Sequence, residues 1–196
     1  CKAMHETGIV PDFITVDGGE GGTGAAPMEF SNHIGTPLVE GLIFVHNVLV
    51  GYDLRKKVKV ISSGKMTSGF GLVKRLALGA DLCNSARAMM MSLGCIQARK
   101  CNSNDCPVGV TTQDPSLFGG LVPEDKSMRV NSYHKNTVDS ACQIMGAMGL
   151  ESAAELRPWH LMRSIEAYEI RNFSEIYEDI ETGYLHQHSK PESYAR

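Results

Sequence analysis

Cys95, Cys101 and Cys106 stand in a C-x5-C-x4-C spacing, with a turn-forming Asn-Ser-Asn-Asp stretch inside and Pro107 directly after. Three thiolates on one short loop favour a soft metal. Iron in a sulfide cluster needs one cysteine per iron, so three ligands suffice for a 3Fe-4S cluster. Zinc usually takes four ligands, often with a C-x2-C knuckle that this segment lacks. Three ordinary free cysteines are the plain alternative. A fourth ligand from Asp105, Cys83 or Cys142 would make a four-iron cluster, so counting leaves the cluster type open.

A second chemistry-bearing stretch is Gly18-Gly19-Glu20-Gly21-Gly22-Thr23-Gly24-Ala25-Ala26. Without Cβ atoms the backbone can approach a flat or anionic ligand and offer it amides, which makes Gly21, Gly22, Thr23 and Gly24 candidate cofactor contacts. Glu20 among them is a candidate acid or amine-orienting group, with a capping or hydrogen-bonding role as the alternative. Two shorter loops, Ser62-Ser63-Gly64-Lys65 and Ser85-Ala86-Arg87, each precede a helix start. Ser63, Gly64, Lys65, Ala86 and Arg87 together make a candidate phosphate cup, with amide donors supplemented by two cations. His46 lies in an apolar helix and reads as a core histidine, and Met89, Met90 and Met91 read as packing.

The elements that position these loops repeat. Asp12 to Asp17 is a short β-rich run closed by Gly18-Gly19, and after Pro37 the residues Leu38, Leu42, Val45 and Leu49 recur at helical spacing. Val58 to Ile61 is strand-like, and Thr67 or Ser68 caps a helix that Gly79 stops. Asp81 to Asn84 is a third strand, and Ala88 to Leu93 a third helix. Three β/α units imply a parallel α/β sheet with ligands at the carboxyl ends of its strands. They cannot close a (β/α)8 TIM barrel, which needs eight strands and about 250 residues, so they are expected to be its C-terminal part. An open doubly wound sheet is the rival. Beyond Cys106 the pattern predicts a loop over Pro107 to Asn131, then helices over His134 to Met148, Ser152 to Leu156 and Trp159 to Ile170. The expected division is a barrel part over 1–130 with the iron-sulfur loop at 95–106, a helical extension over 131–175 and a flexible tail over 176–196.

Composition narrows the class. The chain has 196 residues, 42% of them hydrophobic, and a net charge of -3. That is enough for an ordinary core, and no long basic block points to nucleic acid or an anionic membrane surface. The longest apolar run, near Leu42 to Val50, falls short of the roughly 20 residues of a membrane span. No signal peptide precedes the first strand, so a cytoplasmic, reducing compartment is expected. A start on Cys1 leads us to expect that the sequence is part of a longer chain.

Taken together, Asp17 through Pro27, Gly79-Ala80-Asp81-Leu82-Cys83-Asn84-Ser85-Ala86-Arg87, and Gly94-Cys95 through Cys106-Pro107-Val108-Gly109-Val110-Thr111-Thr112-Gln113-Asp114-Pro115 resemble the FMN-binding synthase domain of glutamate synthase over roughly residues 8 to 160. The resemblance implies a (β/α)8 barrel that holds FMN and a 3Fe-4S cluster. It also implies reduction of 2-iminoglutarate, formed from 2-oxoglutarate and ammonia, to L-glutamate, with electrons from a donor such as ferredoxin or a reductase subunit. Carried over by position, Cys95, Cys101 and Cys106 are cluster ligands. Gly64, Lys65, Ala86 and Arg87 lie at the phosphate end of FMN, and Glu20 faces the substrate. The large synthases usually have Asp where Glu20 stands and Gly-Thr where Ala86-Arg87 stand. These departures make the chain more similar to the shorter glutamate-synthase-like proteins without an amidotransferase domain. An essential lysine and much of the flavin pocket are expected in strands preceding Cys1. Two other readings remain at this stage: a flavin and iron-sulfur electron-transfer or regulatory module with another substrate, and an inactive barrel fragment with unpaired strand edges.

Overall fold

The computed structural model describes residues 1–20, 27, 29–30 and 33–187. Its centre is a three-stranded, wholly parallel sheet in the order β1 (Phe13–Asp17), β2 (Lys59–Ser63), β3 (Leu82–Asn84). Phe13 stands beside Lys59 and Ile61 beside Leu82, so successive carboxyl ends line up along one rim. A short α1 (Lys2–Thr7) precedes the sheet.

Parallel strands need crossovers, and α2 (Leu38–Gly51) and α3 (Gly69–Ala77) supply them. Leu38, Leu42 and Leu49 form the buried stripe of α2 and meet Val16, Val60 and Val73 in the core. The Ser68 side chain accepts from the Gly71 amide at 3.1 Å and starts α3, and Gly79 leaves the helix with a φ of 105°. A six-residue α4 (Arg87–Ser92) follows β3.

These helices cover one face of the sheet. On the other face Phe13 and Leu82 are each 57% exposed, and Thr15, two residues along β1 from Phe13, is also exposed. Parallel sheets are normally buried on both faces. Each of those large side chains forgoes about 2 kcal/mol of burial by facing water.

Beyond the cysteine loop the structure departs from expectation in three places. The stretch expected as a loop over Pro107 to Asn131 contains α5 (Pro115–Phe118), and α6 (Pro123–Ala147) begins well before His134. Pro123 in the first turn, followed by Glu124 and Asp125, is a favourable helix start that the polar composition disguised. The expected helix over Trp159 to Ile170 is instead a 3-10 turn (Pro158–His160) and an antiparallel hairpin, β4 (Met162–Glu166) with β5 (Glu169–Asn172). The Ser152 to Leu156 segment is a 3-10 turn over Ala153–Glu155. From 176 to 187 the described chain runs against α2. After α7 (Phe173–Ile176), Asn47 donates to the Glu178 carbonyl at 2.6 Å and Gly183 donates to the Val50 carbonyl at 3.1 Å. Leu185 of α8 (Tyr184–Gln187) lies against Gly51. Ile180 and Leu185 supply apolar anchors that a mostly polar composition conceals.

No helix among the described residues is long and apolar enough to cross a membrane.

Candidate functional site

The carboxyl ends of β1, β2 and β3 form one mouth. The Asp17 carboxylate accepts from the Gly19 amide at 2.9 Å and from the Ser63 hydroxyl at 3.2 Å, which ties the ends of β1 and β2. Glu20 accepts from the Leu38 amide at 3.0 Å and thereby holds the start of α2 against the mouth. This is the hydrogen-bonding role weighed above for Glu20. Gly21, Gly22, Thr23 and Gly24 lie outside the described residues.

After Ser63 the chain turns through two consecutive positive φ angles, 142° at Gly64 and 43° at Lys65. A Cβ on Gly64 would stand 3.3 Å from Cδ2 of Leu38, so both backbone and space favour glycine there. Arg75 of α3 fixes the turn. Its Nη2 donates to the Gly64 carbonyl at 2.8 Å and the Lys65 carbonyl at 3.4 Å, and its Nη1 to the Gly71 carbonyl at 2.9 Å. Burial pulls the Arg75 guanidinium below its ordinary value, while Cys83 and Glu20 oppose that shift. One strand along, the Ser85 hydroxyl donates to the Met66 carbonyl at 3.0 Å and joins the β2 and β3 loops. Ala86 then precedes α4 without a side-chain cap, and Arg87 opens that helix at the surface. Ser63, Gly64 and Lys65 at the end of β2 and Ala86 and Arg87 after β3 lie on one rim of the sheet.

The cysteines sit on the loop joining α4 to α5. Cys95 is half-buried, Cys101 exposed and Cys106 buried at 8% exposure. The Cys95 sulfur accepts from the Gln97 amide at 3.4 Å. Three non-glycine residues on this loop hold positive φ angles, 57° at Gln97, 58° at Arg99 and 58° at Asn104. Asn104 ties the loop back to the following segment, accepting from the Thr112 hydroxyl at 2.8 Å and from the Gln113 amide at 2.7 Å.

Cys106 has the most developed surroundings. The amides of Thr111, Val108 and Val110 face its sulfur. The Thr111 amide dominates, and the set brings the thiol down to about 7 against the opposing effect of burial. The Thr111 hydroxyl is buried with no hydrogen-bond partner among the described residues. The turn that presents these amides needs Gly109, whose φ is 79° and whose Cβ would meet the Leu117 carbonyl at 2.6 Å. By contrast, burial pushes the Cys83 thiol up to about 11, with Arg75 opposing. A neutral thiol is a poor metal ligand.

Among the described residues no three His, Cys, Asp or Glu side chains converge closely enough to hold a single metal ion. A polynuclear cluster spreads its thiolates over several irons and takes a wider ligand set. The Cys106 cradle suits a metal-bound thiolate, because amide donors to sulfur stabilise the charge that ligation requires. Sequence reasoning missed Arg75, which lies eleven residues beyond Gly64 in no local motif, and Thr111 as a sulfur donor. The Cys-Pro-x-Gly signal that turns the chain back toward Cys106 was the available clue to Thr111.

A cavity of about 410 Å³ opens at the opposite end of the sheet, beside His46, Arg55, Gly79, Asp81 and Trp159. It lies away from the loops just described.

Residues 3–151 match the family model described as the conserved region in glutamate synthase. The chain belongs to the glutamate synthase family. It is 39% identical over 173 residues to the glutamate synthase large subunit-like protein YerD of Bacillus subtilis, covering 88% of this chain and 33% of that protein. It is 35% identical to an archaeal glutamate synthase [NADPH] of Methanocaldococcus jannaschii, covering 74% of this chain and 29% of that one. A ferredoxin-dependent glutamate synthase of Antithamnion sp. is 34% identical over 74% of this chain and 9% of its own length. The chain therefore spans about a third of YerD and less of the other two. Among solved structures, a double mutant of flavocytochrome b2 with sulfite bound superposes at a TM-score of 0.50 with 17% identity, covering 80% of this chain and 31% of that one. At that identity the likeness concerns the α/β fold alone.

Proposed function

We propose that these residues form the last three β/α units of an FMN-binding (β/α)8 barrel of the glutamate synthase type. The whole protein would reduce 2-iminoglutarate, formed from 2-oxoglutarate and ammonia, to L-glutamate. Its electrons would come from a donor such as ferredoxin or a reductase subunit. The observation that carries the reading is the Cys106 cradle, in which three amides face one sulfur and draw its thiol down beside the buried, unpartnered Thr111 hydroxyl. The uncovered sheet face supports the barrel, since alternate residues Phe13, Thr15 and Leu82 are where inward-facing side chains of a closed barrel belong.

When bound, FMN supplies two-electron reduction of a carbon-nitrogen double bond, and a 3Fe-4S cluster supplies one-electron relay. The chain's own contribution is positional. Cys95, Cys101 and Cys106 would hold the cluster as thiolates, with Thr111 and the neighbouring amides stabilising the charge on Cys106. The Gly64-Lys65 turn would offer backbone amides to the flavin phosphate, with Lys65 and Arg87 as its counter-cations and Ser63 and Ala86 beside it. Glu20, held by the Leu38 amide at the mouth of β1, would orient the amine side of the substrate. We propose Gly21, Gly22, Thr23 and Gly24 as further cofactor contacts on their sequence alone.

The test uses the full-length protein purified without oxygen. Bound FMN, stoichiometric iron and acid-labile sulfide, and flavin reoxidation requiring both 2-oxoglutarate and ammonia are expected. Cys106→Ser should lose the iron. A protein carrying neither flavin nor iron would refute the reading. Cofactors without reoxidation by that substrate pair would refute the reaction.

A further inference from the structure

The β4–β5 hairpin is exposed along most of its length. Trp159, Met162, Ile165, Tyr168 and Ile170 all face solvent within twelve residues of chain, Tyr168 completely. Apolar side chains at this density mark a contact surface. The hairpin is also a poor structure by itself. Two-stranded sheets are marginal in water, and the register sets Arg163 opposite Arg171, two like charges across one ladder. Among the described residues no backbone group pairs with the outer edge of either strand.

The two edges are not equivalent. β4 shifts register between Ser164 and Glu166, and such a bulge bends a strand and blunts its edge. β5 is regular. It contains no proline, lysine or bulge of the kind that protects an open edge, and it alternates Glu169-Ile170-Arg171. In the single chain Glu169 and Arg171 pair with one another along that strand.

We infer that the β5 edge pairs antiparallel with β5 of a second copy of this chain, about a two-fold axis through Ile170. In that register Glu169 faces Arg171 of the second copy, Arg171 faces its Glu169, Ile170 faces Ile170 and Tyr168 faces Asn172. Both charge pairs are satisfied by one symmetric contact, as an isologous interface requires. The alternatives fail on charge. A parallel in-register pairing sets Glu169 against Glu169 and Arg171 against Arg171. A slip of one residue in either direction leaves both charges opposite uncharged residues. The second copy is therefore selected by the strand's own charge order, and pairing converts a weak two-stranded sheet into a four-stranded one.

The test is the mass of the full-length protein in solution, read by light scattering on a sizing column. Glu169→Arg makes the edge Arg-Ile-Arg, and Arg171→Glu makes it Glu-Ile-Glu. Each variant alone should have half the wild-type mass, because like charges then meet across the axis. An equimolar mixture of the two should regain the wild-type mass, since Arg-Ile-Arg complements Glu-Ile-Glu. Circular dichroism of each single variant should match wild type, both substitutions being at the surface. Wild-type mass in either single variant overturns the inference, and so does a mixture that stays at half mass.

Discussion

At the amino ends of β2 and β3, one guanidinium ties four elements together, whereas at their carboxyl ends another holds a turn of unfavourable backbone angles. Arg55 donates to Nδ1 of His46 at 3.1 Å, to the Val58 carbonyl at 3.1 Å, and at 2.8 Å to both the Gly79 carbonyl and the Asp81 carboxylate. Asp81 in turn accepts from the Val60 amide at 2.7 Å and lies 3.8 Å from Lys59. Arg75 at the other end holds the carbonyls of Gly64 and Lys65, with its Nε buried and unpartnered among the described residues. The lesson is a division of labour along the strands. One end closes its polar groups on one another and serves stability; the other keeps positive φ angles and surface cations where a ligand could use them.

The most severe way to break this contrast is Arg55→Ala. It strands Asp81 and the carbonyls of Val58 and Gly79, and should cost about 3 kcal/mol of stability. A fall of several degrees in melting temperature is expected, with FMN affinity of the folded protein unchanged. An affinity loss equal to that of a rim variant would mean the two ends are not separable.

Gly64→Ala comes next and acts at the other end. Alanine at a φ of 142°, with its Cβ 3.3 Å from Leu38, costs about 1–3 kcal/mol of strain or shifts the turn. Here the order of effects should invert. FMN binding, titrated by flavin fluorescence, should weaken at least about tenfold while the melting temperature falls less than in Arg55→Ala. Equal loss in both measurements would make Gly64 a purely structural residue.

The same contrast explains what was readable in the sequence. The three β/α units, the α2 stripe of Leu38, Leu42 and Leu49, and the Ser68 and Gly79 signals were all legible because each is a local pattern that the core then uses. The hairpin was not. Leu161, Met162, Ile165 and Tyr168 fall at helical spacing, and only the pairing of β4 with β5, with its register shift between Ser164 and Glu166, makes the segment a hairpin. At the candidate site, the rim residues after β2 and β3 could be named because ligand loops follow strand ends. The positive φ of Lys65 and the reach of Arg75 could not, since both depend on how α3 packs back over the turn. Thr111 reaches Cys106 only after Gly109 has reversed the chain.

The mildest effect should come from His46, and its pH dependence reports on the closed end alone. Burial, with a smaller contribution from Arg55, lowers its pKa below the ordinary 6.5. The Arg55 bond requires Nδ1 of His46 to be unprotonated. The unfolded chain therefore takes up a proton near pH 6.5, where the folded chain still resists it. The stability tied to neutral His46 is complete above pH 6.5 and is lost as the pH falls below it toward the folded value. In His46→Asn the amide oxygen can still accept from Arg55 but does not titrate. Its melting temperature should fall less steeply than wild type as the pH drops below 6.5, with the two profiles parallel above that pH. Identical slopes would show that His46 takes up its proton at the same pH in the folded and unfolded chain. The Arg55–His46 bond would then add nothing to the closed end, leaving Asp81 and the two carbonyls as the partners of Arg55 that fix it.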